Sequence, residues 1–98
     1  MKTISTQSYL DEKLVQKKLE NDDFEAFYVT LKLDGTSYRY VVDGHHSIAA
    51  AKLAGEKVEW TRHKAMQIEA NHLGGDDFIL AHWGGDDIFD IDTGRLLL

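Results

Sequence analysis

The chain has 98 residues, 43% of them hydrophobic, 10% aromatic and 29% charged, which is the composition of one globular domain rather than a disordered tail. It contains neither cysteine nor proline, so disulfides, thiolate metal sites and thiol catalysis are excluded and every backbone N–H is available for pairing. No run approaches the ~20 apolar residues of a membrane span, and the opening segment lacks the apolar stretch of a signal peptide, so a cytoplasmic protein is expected.

The formal charge is −6 and unevenly placed. From Gly74 onward six aspartates (Asp76, Asp77, Asp86, Asp87, Asp90, Asp92) face the single Arg95, whereas residues 1–73 are close to neutral. This balance makes DNA binding or nicking the least favoured reading, because phosphate recognition needs several cations on one face. Basic residues gather at Lys13, Lys17 and Lys18 and again at Lys57, Arg62 and Lys64. Both groups read as solvated faces.

In chain order, Ser8 with Asp11 three residues on reads as a capping box for a helix to Glu20, whose pairs Leu10/Leu14 and Val15/Leu19 share an apolar face. Asn21-Asp22-Asp23 ends it. Phe24 to Leu33 then alternates, with Phe27, Val29, Leu31 and Leu33 on one face. Asp34-Gly35 turns the chain, and Tyr38 to Val42 returns as the second strand of a hairpin.

Asp43-Gly44-His45-His46-Ser47 follows, then an alanine-rich helix closed by Gly55 as a left-handed cap. Lys57 to Trp60 reads as a short strand and Lys64 to Ala70 as a short helix. A small repeat closes the chain, His72-Leu-Gly-Gly-Asp-Asp followed by His82-Trp-Gly-Gly-Asp-Asp. It predicts strands over Phe78–Trp83 and Ile88–Asp92 joined by the second Gly-Gly turn, with a further turn at Asp92-Thr93-Gly94. The fold class expected is α+β: residues 1–98 as a single domain with a small mixed sheet, flanking helices and a C-terminal hairpin.

Chemistry concentrates at the strand-to-helix corner. The first-turn N–H groups of a helix have no internal partner, and the helix dipole adds positive character, so such a terminus attracts anions. His45 and His46 add imidazole donors and Ser47 a hydroxyl. The plainer alternative is a tight turn in which Asp43 caps the helix and the histidines lie on the surface.

Residues 24–60, and above all Tyr40-Val-Val-Asp-Gly-His-His-Ser-Ile-Ala-Ala-Ala-Lys-Leu-Ala-Gly55, resemble the signature of the ParB/sulfiredoxin superfamily. The resemblance implies a nucleotide site at the box, with Asp43, Gly44, His45, His46 and Ser47 as binding residues and ATP, ADP or CTP with Mg²⁺ as ligand. It places the sulfiredoxin cysteine at His45, the phosphate-contacting histidine at His46 and the arginine at Ser47. The box of free serine kinases, Asp-Gly-His-His-Arg, is similar up to Ser47. Without the cysteine, sulfinic-acid reduction is excluded. Replacing a guanidinium fork by a hydroxyl removes the strongest phosphate clamp, costing ~2–3 kcal/mol.

Three functions are therefore carried forward. The first is nucleotide or phosphate binding, with His45 and His46 as candidate catalytic residues for residual hydrolysis or phosphotransfer. The second is an inert adaptor or inhibitor, of the kind carried by plasmids and phages, that meets a protein partner through its acidic C-terminal face. The third is DNA binding or nicking. No metal-ligand spacing occurs among His45, His46, His63, His72 and His82, and Gly-Gly-Asp-Asp lacks the calcium-loop pattern. Glu12, Glu20 and Glu25 are candidate bases only if the fold brings one to the box, and Trp60 and Trp83 read as core.

Overall fold

A computed structural model describes residues 1–7, 10–83 and 87–96. Among these residues five strands form one mixed sheet in the order β4-β2-β3-β1-β5: β1 (Lys2–Ser5), β2 (Glu25–Leu33), β3 (Thr36–Asp43), β4 (Glu59–Arg62) and β5 (Phe89–Asp90). The helices are α1 (Glu12–Glu20), α2 (His45–Ala54), α3 (Lys64–Leu73) and α4 (Gly75–Trp83). β1 and β3 run parallel, as do β2 and β4, while β2–β3 and β1–β5 are antiparallel. This is the α+β architecture expected. Among the described residues no helix is long and apolar enough to cross a membrane.

The predicted hairpin is β2–β3, closed through Leu33 and Thr36 around Asp34-Gly35. Adjacent residues of a strand point to opposite faces, and here each face has its own core. Val29, Leu31, Leu33, Tyr40 and Ile4 pack under Ala70 of α3 and Phe78 and Ile79 of α4. On the other face Ala26 and Val41 meet Ile48 of α2, against which α1 lies.

Two local features aim the chain at the functional corner. Phe27 pairs with Asp43 but Tyr28 with Val41, so β3 carries an extra residue at Val42, a bulge that bends the strand just before the box. Gly44 then turns into α2 at φ +96°, lying so close to β2 that a Cβ there would sit 2.7 Å from the Ala26 Cα.

Several sequence expectations are corrected. Asp11 is itself the cap of α1, its carboxylate accepting from the Lys13 N–H, so the helix begins later than a Ser8 cap would start it; Ser8 lies outside the described residues. The short strand is shifted, to Glu59–Arg62, and the helix predicted over Lys64–Ala70 runs on to Leu73. The largest change is at Phe78–Trp83, which is helix rather than strand. Asp76 and Asp77 occupy the first turn of α4, where carboxylates suit the positive end of the helix, instead of forming a turn. The C-terminal hairpin is accordingly absent in the expected form: β5 pairs with β1, and Phe89 bridges Leu96 around residues 92–94. The second Gly-Gly-Asp lies outside the described residues.

Candidate functional site

α2 leaves the sheet at Gly44, and the carboxylate of exposed Asp43 folds back to accept from the Gly44 N–H at 2.8 Å. Asp43 therefore caps the corner and not the helix, since Gly44 is the cap residue and no side chain bonds to the first turn there. The N–H groups of His45, His46 and Ser47 precede the first intrahelical bond, which Ile48 N–H makes to the Gly44 carbonyl at 2.9 Å.

The three side chains of that turn diverge. The His45 ring is half-buried and its Nε2 hydrogen-bonds the Ser5 hydroxyl of β1. Burial pushes its pKa down to about 4, opposed by the nearby Asp43 charge and reinforced by His46, so the ring is neutral at physiological pH. A serine against a histidine nitrogen is how a nucleophile meets its base, but Ser5 is only 1% exposed and also accepts from the Gln7 N–H at 3.0 Å. The pair works as a strut between β1 and α2.

His46 turns to α1. Its Nε2 accepts from the Asp11 N–H at 3.1 Å, which places the ring proton on Nδ1 and leaves that nitrogen as a donor. Ser47 is 1% exposed and directs its hydroxyl to the Asp23 carboxylate at 3.5 Å. Asp23 is held below the usual carboxylate range first by its hydrogen bond from Lys18. The first turn of α2 thus ties down α1 and the α1–β2 connection, a task for the histidines that neither the phosphate reading nor the surface reading of the sequence contained.

A cavity of about 290 Å³, mostly apolar, opens beside this turn. Its wall follows one face of α2 through His45, Ile48, Ala49 and Lys52, is closed on one side by Gln7 and Leu10, and on the other by Phe89 to Ile91 and Gly94. The seven residue-to-residue rises from His45 to Lys52 span ~10 Å, so the cavity runs from the amide-rich end of α2 to the Lys52 ammonium. Lys52 Nζ donates to the Ile91 carbonyl at 2.7 Å, which fixes the cation at that end. Of the sequence-predicted residues, His45 alone lines this cavity; Asp43, His46 and Ser47 surround the corner without reaching into it. Ile48 and Lys52 were missed, and only their helical spacing from His45 could have pointed to them; Asp90 is offered by the sequence only as part of the acidic C-terminal face.

The other candidates separate. His63 caps α3, its Nδ1 accepting from the Met66 N–H at 3.2 Å, with Phe27 edge-on at 6.4 Å. Asp90 is 9% exposed, and its carboxylate accepts from the Asp92 and Thr93 N–H groups, so it belongs to the turn and not to an exposed acidic face. Among the described residues no three histidine, aspartate or glutamate side chains gather as a metal site. Comparisons with protein-family models, curated proteins and solved structures return no match.

Proposed function

We propose that this chain binds a small phosphorylated ligand of nucleotide size, its phosphate at the first-turn amides of α2 and its apolar portion in the adjoining cavity. The observation that carries this reading is His45, which belongs at once to the anion-attracting turn and to the cavity wall. Backbone N–H groups would supply the phosphate contacts, and His46, on the same turn, keeps its Nδ1 as a donor. The arginine that the ParB/sulfiredoxin resemblance would place at Ser47 is absent, and the buried hydroxyl there does not replace it. Mg²⁺ would arrive on the ligand's own phosphates, since Asp90 is the single carboxylate of the wall among the described residues. Binding rather than turnover is favoured, because neither Glu12, Glu20 nor Glu25 lines the cavity and Ser5 is enclosed.

The test is an amide-resolved NMR titration with ATP, ADP and CTP, each with and without Mg²⁺. Saturable shifts at His45 to Ile48 and at Ile91 are expected. Ala49→Leu, which fills the cavity from the helix face, should weaken binding about tenfold while preserving the spectrum elsewhere. A flat titration, or Ala49→Leu without effect, removes the reading. His46→Ala is a poor probe, because it strands the Asp11 N–H as well as removing a phosphate donor.

A further inference from the structure

A second cleft, of about 540 Å³, lies on another part of the molecule, where β4 ends and β2 continues beyond it. Its polar side chains are Thr30, Lys32, Ser37, Arg62, Gln67 and Asn71, and the Gly74–Gly75 backbone completes the wall. Among the described residues no carboxylate lines it, in a chain with 17 acidic residues.

The hydrogen bonds leave this cleft rich in donors. Gln67 Oε1 accepts from the Thr30 N–H at 2.7 Å, which fixes the amide so that Nε2 donates to the Thr30 carbonyl at 2.8 Å and to Asn71 Oδ1 at 3.0 Å. Both side-chain amide oxygens are therefore occupied within the protein, while the Asn71 NH₂ has donors to offer. Arg62 is positioned in advance: Nη2 donates to Thr30 Oγ1 at 3.3 Å, and the guanidinium lies over the Tyr28 ring at 5.6 Å.

Arg39 deepens the local charge. Its guanidinium lies 5.3 Å from the Tyr28 centroid and 4.5 Å from that of Trp60, so Tyr28 carries two arginines. The buried Arg39 Nε has no hydrogen-bond partner. Lys18 is paired with Asp23, but among the described residues neither arginine forms an ion pair with a carboxylate. Arg62 and Lys32 are the cations that line the cleft, Arg39 adds charge on the shared Tyr28 ring outside that lining, and three elements supply donors around one opening.

We propose that this cleft binds the phosphoryl group of a small ligand, with Arg62 and Lys32 providing charge and Asn71 a directed donor. It is separate from the α2 site and stands or falls independently of it. Tetrahedral oxyanions suit donors that converge from β2, β4 and α3 better than a planar carboxylate does.

The test is titration with inorganic phosphate at ionic strength held constant with chloride, read on the Arg62 Nε–H, the Asn71 side-chain NH₂ and the Gly75 amide. Saturable shifts are expected. Arg62→Gln should abolish them, and Asn71→Asp and Lys32→Gln should each weaken binding about tenfold. These side chains are exposed, so the variants should keep the parent urea midpoint, and the resonances of His45 to Ile48 should not move in them. A response that stays linear to tenth-molar phosphate, or that chloride alone reproduces, overturns the proposal. So does phosphate binding that survives all three substitutions.

Discussion

Gly44 and Gly55 bracket α2 and allow its anchoring to be measured by difference. Both have positive φ, +96° and +69°, so alanine at either pays the left-handed penalty, ~1–2 kcal/mol, less the ~0.4–1 kcal/mol regained by restricting the unfolded chain. Around Gly55 nothing lies within 4 Å of an added Cβ. At Gly44 the added carbon would meet Ala26 Cα at 2.7 Å, the Glu25 carbonyl oxygen at 2.8 Å and Ala26 Cβ at 2.9 Å. Carbon contacts relax near ~3.5–4 Å, and two of these neighbours are backbone that cannot rotate aside, so a further ~1–3 kcal/mol is expected. Gly55→Ala should then cost about 1 kcal/mol and Gly44→Ala about 3 kcal/mol, read as urea midpoints at unchanged m. Adding Ala26→Gly to Gly44→Ala should recover part of the loss, because it removes the Cβ contact and leaves the Cα one. Equal costs at the two glycines would refute the close approach of α2 to β2, and with it the placement of the box.

Other expectations follow from the same geometry. His45 binds its proton in the unfolded chain near the ordinary ~6.5 but in the folded one only near about 4, so its contribution to stability is complete above ~6.5 and falls as pH drops toward 4, by up to ~2–3 kcal/mol. An imidazole resonance of His45 that titrates near 6.5 in the native spectrum would contradict this. Ser47→Arg, which would supply the clamp found in the boxes this segment resembles, should instead destabilise by ~3 kcal/mol or more, because the site is 1% exposed; a parental thermal midpoint would show that the side chain escapes to solvent. Phe78 is fully buried with Tyr40 edge-on at 6.2 Å, so Phe78→Ala should cost ~3–5 kcal/mol by denaturant titration. A loss below 1 kcal/mol would mean that α4 does not cover the sheet.

Local signals made the centre of the fold legible. Alternation from Phe27 to Leu33, the Asp34-Gly35 turn and the alanine run ended by Gly55 each state their structure within a few residues. Phe78 to Trp83 does not, because a short apolar run looks alike in a buried strand and in a helix pressed on a sheet. The sheet's own demand decided it: Val29, Leu31 and Leu33 need a cover, and α4 provides part of one. The site divides in the same way. The corner at Gly44 was visible as a strand-to-helix junction, whereas the directions of His46 and Ser47 depend on where α1 packs. The cavity wall at Phe89 to Ile91 depends on β5 pairing with β1, which no local pattern announces.

That pairing also sets an order of assembly. β2, β3 and α2 are contiguous in the chain, so they can associate without any residue beyond 54. The edge of β1 beside His45 stays bare until residues 89 and 90 arrive to pair with it. The corner at Gly44 can therefore form before the cavity beside it is closed, and until then Ile4 and Ser5 lie at an open edge that another chain could occupy.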